Sequence, residues 1–370
     1  MKRSQRTSIV VIATLLMVLL AVPAFAEGQK EKQGEEEIYI PLVSKGLQHQ
    51  FWQTVKSGAE DAAEELGVRM TFEGPTSEAA IQEQVRMFKS ALAKNPSAVA
   101  LAALDTESVR PQLEEAKRRD IPVIGFDSGV PNPPEGSVYA NASTNNYAAA
   151  GLAAEKMFEE IQGEIEDASA SSPITITVLS QDATSLSVTE RGKGFRDRMI
   201  ELITSETGHS RSNIKVQGNP AYVADDNPTG GQTVIIDMIV AQSPRTQDVT
   251  AAANSIMNRV DEDNIQGLFL SNEGSVVGVL AATNDGSELA SEYSDVTVVG
   301  FDAGEAQKNA VRNDYFLGSI TQDPYQIGYK AVELSYKAAQ GQEVSDVDTG
   351  AKFYTDANMD NEDIAPLLYD

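Results

Sequence analysis

"VIGFDSG" at residues 123–129 and "VVGFDAG" at residues 298–304 are almost the same seven residues, set 175 positions apart. Each carries a short apolar run to a Gly-Phe pair and then places an aspartate, Asp127 or Asp302, just beyond it. A β-branched run of this length bounded by turn residues reads as a buried strand. The repetition therefore reads as one architectural unit used twice. In an open parallel sheet, ligands bind beyond the carboxyl ends of the strands, so two lobes facing each other by their strand tips bring both aspartates to one cleft.

Outward from these two runs, the pattern predicts strands over 38–44, 68–74, 98–104 and 121–126, separated by helices over 51–67, 77–95 and 106–120. Gly67 is placed to end the first helix, and Ser77 to cap the second. Further on, helices over 145–162, 188–207, 229–242, 248–260 and 274–285 alternate with strands over 174–180, 214–219, 267–271 and 296–301. Strands separated by helices are βαβ units and build parallel sheets. The expectation is an α/β fold of two doubly wound parallel-sheet lobes, with "EDASASSP" (166–173) as a surface loop within the second.

A length of 370 residues exceeds what one hydrophobic core usually supports. Lys2, Arg3 and Arg6 precede an apolar run from Ile9 to Val22 and the small-x-small triplet Ala24-Phe25-Ala26. This is the pattern of a secretory signal over 1–26, followed by a charged leader over 27–37. The run is shorter than the roughly 20 residues of a membrane span, and with no cysteine anywhere there is no thiol for a lipid anchor. Zero cysteine also excludes disulfides, thiolate metal sites and thiol nucleophiles. The net charge of −26 argues against nucleic acid and anionic membranes as partners.

Catalysis finds little support in the residues. No phosphate-binding P-loop or dinucleotide fingerprint occurs, and "RGKGF" (191–195), the nearest glycine cluster, lies inside a helical pattern. The two histidines, His49 and His209, are far apart, and the acidic runs "DEDN" (261–264) and "DANMDNED" (356–363) lack the glycine and terminal glutamate of a calcium loop. No G-x-S-x-G elbow is present. Neither an enzyme nor a cofactor is expected. What remains are polar and aromatic side chains at strand ends: Lys45, His49, Phe51 and the sole tryptophan, Trp52, after the first strand, then Asn272 and Gln322 after later ones. Paired donors and acceptors beside a flat aromatic face suit a polyol ring.

Six segments in order, "IPLVSKGLQHQFWQTVKSGAEDAAEELG", "IPVIGFDSG", "SVTERGKGF", "LFLSNEGSVVGVL", "VTVVGFDAG" and "GSITQDPYQIGYKAVE", resemble the type I periplasmic sugar-binding proteins of ATP-binding-cassette importers, close to the ribose-binding branch. The resemblance implies that Phe51 and Trp52 are the aromatic pair around the sugar ring and that His49 stands where the family often has a hydroxyl-binding Asn. It implies carboxylates at Asp127 and Asp302, an arginine at Arg191 and amides at Asn272 and Gln322, with Tyr222 as a loosely matched second-lobe aromatic. Lys45 replaces a small hydroxyl residue of ribose binders, and Ser128 stands where they have Arg. Both changes argue against ribose, and Lys45 with His49 favours a xylose- or glucose-like sugar. The family topology implies three crossings near 142, 322 and 347, giving lobes of 38–142 plus 323–347 and 143–322 plus 348–370. The implied protein is a periplasmic, monomeric receptor that delivers a monosaccharide to a membrane permease. The alternatives are the same fold binding a nucleoside or furanose-like signal, or a sensor coupled to a chemoreceptor.

Overall fold

The computed structural model describes residues 37–223, 228 and 230–369. The expected signal segment over 1–26, and the charged leader apart from Glu37, lie outside them. Ile38–Asp370 forms one compact unit. Along it run β1 (Tyr39–Val43), α1 (Gln50–Leu66), β2 (Arg69–Glu73), α2 (Ile81–Ala93), β3 (Val99–Leu101), α3 (Arg110–Arg118), β4 (Val123–Phe126) and β5 (Ala140–Ser143). The chain continues through α4 (Asn146–Asp167), β6 (Ile174–Ser180), α5 (Leu186–Glu206), β7 (Ile214–Gly218), β8 (Val234–Val240), α6 (Thr246–Met257), β9 (Ile265–Leu270) and α7 (Glu273–Ala282). It closes with β10 (Thr297–Phe301), α8 (Glu305–Arg312), β11 (Gly318–Gln322), α9 (Pro324–Ala339), β12 (Val347–Asp348) and β13 (Ala351–Tyr354).

Two sheets result, in the orders β12-β5-β4-β3-β1-β2 and β13-β11-β10-β9-β6-β8-β7. Every pairing is parallel except β11 with β13. Read position by position, β4 and β10 occupy the same third place, so the two "GFD" runs are equivalent strands of two equivalent sheets. The equivalence extends to the backbone: the amide of Asp127 donates to Ala142 O on the neighbouring β5 (3.0 Å), and that of Asp302 donates to Ile320 O on β11 (2.7 Å). It extends also to the crossings. After β5 the chain enters α4 through Asn145, whose side chain accepts from Ala148 N; after β11 it enters α9 through Asp323, whose side chain accepts from Gln326 N. Asn and Asp at these caps satisfy first-turn N–H groups that have no partner within the helix.

Helices cover both faces of each sheet, which is why the strands read as unbroken apolar runs rather than alternating ones. Along β9 and β10, Leu268, Leu270 and Val298 pack into one core and Phe269, Val299 and Phe301 into the core on the other face, under α4 and α5. In the first sheet, α1 and α9 cover one face and α2 and α3 the other. Among the described residues no helix is long and apolar enough to cross a membrane.

Two expected elements are corrected. The helix expected over 229–242 gives way to a strand: Val234–Val240 is β8, paired to β6 over its length and to β7 from Val234 to Met238. The run "VIIDMIV" follows two glycines and precedes "QSP", and a short apolar run so bounded fits a strand covered on both faces as well as a buried helix. Tertiary pairing decides between them. The helix expected from Ser77 begins instead at Ile81, and Ser77 closes a turn ahead of it, its hydroxyl accepting from Ala79 N (3.2 Å) and its carbonyl from Ala80 N (2.8 Å). That turn sends Glu78 inward.

Candidate functional site

Strand ends of both sheets enclose a chamber lined by side chains of both lobes. Asp127 and Asp302 stand at its two walls. Both take left-handed backbone, with φ of 53° and 83°, a region that Asp tolerates because its short polar side chain bonds locally. Each carboxylate is nearly fully buried.

Asp302 is held from three sides. Its Oδ1 accepts from Gln322 Nε2 (2.7 Å), its Oδ2 accepts from the backbone N–H of Glu273 (3.0 Å), and Arg191 Nη1 lies 3.6 Å from Oδ2. The contact to Glu273 N also caps the first turn of α7, where the helix dipole favours negative charge. Arg191, on α5, donates from Nε to Asn146 Oδ1 (2.8 Å) and from Nη1 to Ser271 O (3.1 Å), while its guanidinium lies 3.8 Å from the centroid of the Phe301 ring. The second wall is thus a fixed network joining α5, α4 and the ends of β9, β10 and β11.

The first wall carries the other cations. Lys45 Nζ lies 3.0 Å from Asp127 Oδ2 and donates across the cleft to Ser187 Oγ (3.1 Å). Burial opposes both charges. Glu78 and Asp182 add to Asp127 in holding the Lys45 ammonium above the usual lysine range, whereas burial pushes the Asp127 carboxyl up against the pull of Lys45 and Arg191. His49 is the N-cap residue of α1 but makes no capping bond; its Nδ1 lies 3.1 Å from Glu273 Oε1 in the opposite wall. Burial opposes its protonation, yet the bond to Glu273 and the nearby Glu78 push it up to about 9. Phe51 and Trp52 both line the chamber and meet edge to face, with centroids 5.0 Å apart and planes at 88°, rather than as two parallel plates.

Lys45, His49, Phe51, Trp52, Asp127, Arg191, Asn272, Asp302 and Gln322 all line this chamber. Ser128 and Tyr222 do not. The Ser128 hydroxyl accepts from Ser187 N (3.3 Å), a tie between the lobes beside the chamber. Tyr222 is packed in the core under α4 and α5, close against Gly192. The chamber also includes Glu273, which the sequence places beside Asn272 after a strand, and Glu78, Gln181 and Val188, which reasoning from sequence did not single out. Gln181 follows β6, so its position after a strand was a usable signal. Glu78 gave none, because the pattern placed it inside a helix. Among the described residues no group of three His, Asp or Glu side chains is arranged to hold a metal ion.

Two facing α/β lobes with a buried polar chamber at their strand ends define a protein that closes around a small solute. The chain belongs to the periplasmic binding protein domain family, whose model matches residues 40–343. This is a family of transport binding proteins, not of enzymes. The D-allose-binding periplasmic protein of Escherichia coli is 22% identical over 345 residues, covering 92% of this chain and 94% of that one. A Brachyspira murdochii structure named "ABC transporter, LacI family transcriptional regulator" is 36% identical with a TM-score of 0.73, covering 90% of this chain and 99% of that one. An Agrobacterium vitis ABC transporter solute binding protein with bound D-fucose, 23% identical, superposes with a TM-score of 0.71 over 90% of this chain and 100% of that one.

Proposed function

We propose that the protein is an exported receptor that captures a monosaccharide between its lobes and delivers it to an ABC-type permease. The carrying observation is the chemistry of the chamber's acceptors. Glu273 Oε2 and Gln322 Oε1 are buried, and among the described residues nothing hydrogen-bonds to either. Buried acceptors are normally paired, and a ring of hydroxyl donors supplies that pairing beside the faces of Phe51 and Trp52. A nucleoside would be served by a second stacking ring, and Tyr222 lies away from the chamber.

Export rests on the signal pattern over 1–26. In this reading the lobes are 38–142 plus 323–347 and 143–322 plus 348–370, a division supported by the sheets to which β5, β11, β12 and β13 belong. Lys45 and Ser128 depart from the ribose pattern, Lys45 and His49 support a xylose- or glucose-like sugar, and the D-allose-binding relative and the D-fucose-bound neighbour support a monosaccharide in general. The test is a titration of the mature protein with D-xylose, D-glucose, D-allose, D-ribose, nucleosides and amino acids, read by Trp52 fluorescence and thermal unfolding. A binding sugar at a hundred times its Kd adds about 2.7 kcal/mol to stability. Response to a nucleoside or an amino acid with none to any sugar overturns the reading.

A further inference from the structure

Glu78 is buried in the turn between β2 and α2, and each of its carboxylate oxygens has one partner from a different lobe. Oε1 accepts from Trp52 Nε1 at 2.9 Å, and Oε2 accepts from Gln181 Nε2 at 2.7 Å. Trp52 stands on α1 of the first lobe; Gln181 follows β6 of the second and is itself buried. Two glycines make room for this bridge. A Cβ at Gly46 would come within 3.3 Å of Glu78 Cγ, and one at Gly274 would meet Gln181 Oε1 at 2.2 Å. A carboxylate is the side chain best suited here, because it accepts at both oxygens with no donor to be left unpaired.

From this geometry we infer that Glu78 is a positioning residue for ligand recognition: it fixes the plane of Trp52 at the chamber wall and completes its second bond only when the lobes are closed. Ring placement and closure thereby become one event. Opening separates Gln181 from Glu78 and leaves Trp52 oriented by one oxygen alone, while a ligand that displaces the ring from that plane weakens the bridge. The retained negative charge agrees with this role: burial opposes it, but Lys45, His49, Trp52 and Gln181 keep the Glu78 carboxyl below its usual range. The inference deepens the receptor reading above and rests on it for the ligand, though not for the bridge.

The experiment compares mature wild type, Glu78→Ala, Glu78→Gln, Gln181→Ala and the Glu78→Ala/Gln181→Ala double variant. Affinity is measured for whichever of D-allose, D-xylose, D-glucose and D-ribose the wild type binds. Trp52 emission and the distance between spin labels, one on each lobe, are recorded with and without that sugar. Bonds to a charged group set the expected scale, so Glu78→Ala should weaken binding about 10- to 100-fold and shift the Trp52 emission. Glu78→Gln, which keeps one acceptor for the indole, should recover most of the emission. Gln181→Ala should lengthen the interlobe distance, and the double variant should be no weaker than Glu78→Ala. Independent, multiplicative losses in the two single variants, or an unchanged emission in Glu78→Ala, overturn the inference. If Glu78→Ala does not fold, Gln181→Ala decides through the interlobe distance and Glu78→Gln through the emission. If none of the four sugars binds the wild type, the choice of ligand fails, while Trp52 emission in the ligand-free Glu78 variants still judges the bond that orients the ring.

Discussion

Asp302 shows how much of the site hangs on single side chains. Removing its carboxylate leaves the nearly fully buried Arg191 guanidinium without its anion, since Asn146 and Ser271 offer only neutral acceptors. Breaking one partner from a buried charge pair costs about 3–5 kcal/mol. Asp302→Ala should therefore lower the unfolding free energy measured by urea titration by an amount of that order, besides losing sugar binding, while Asp302→Asn keeps an acceptor and should lose less. A loss below about 1 kcal/mol in Asp302→Ala would show that water reaches Arg191. The aspartates themselves were legible in the sequence because each follows a duplicated strand and tolerates the left-handed turn. Glu78 was not, because a glutamate after Ser77 fits the first turn of a helix, and only the packing of that turn against Trp52 sends it inward.

Among elements, β8 carries the clearest lesson. Its register with β6 aligns Ile174 with Val234 through Ser180 with Val240, and Ile236 at its centre is fully buried under α4 and α5. Ile236→Ala should cost about 2–5 kcal/mol, checked by equilibrium denaturation; a negligible change would be expected only of a surface position. The local sequence permits either structure, since seven apolar-rich residues satisfy a buried strand and a buried helix alike. What selects the strand is the presence of two neighbours, β6 and β7, offering backbone partners on both sides.

At the scale of the whole molecule, closure is built from first-lobe groups that meet the second lobe. Ser128 Oγ accepts from Ser187 N near the start of α5, Gln50 Oε1 accepts from Glu305 N at the start of α8 (2.8 Å), and Lys45, Glu78 and His49 reach Ser187, Gln181 and Glu273. Of these, the His49–Glu273 pair titrates within reach of ordinary buffers. The folded-state value of about 9 lies above the ordinary histidine value near 6.5, so its stabilisation is fully present below about pH 6.5 and is lost as pH rises through about 9. The contribution amounts to up to about 3 kcal/mol. A thermal-unfolding series across this window should show that decline, and His49→Asn should flatten it. An equal decline in His49→Asn would assign the effect to another group. Capping by a facing lobe cannot be read from the chain, because the donors and acceptors are separated by up to 255 residues.

By itself the sequence determined the α/β class, the duplicated strand ends at Asp127 and Asp302, and most of the side chains that line the chamber. These follow from local rules: apolar runs of strand length, helical periodicity between them, and polar residues just beyond strand ends. Only the tertiary structure decided that residues 234–240 are a strand, that Tyr222 belongs to a core, and that Glu78 joins Trp52 to Gln181. Those outcomes depend on which surface each segment meets after folding, and burial against a distant partner, rather than local preference, sets the lowest free energy there.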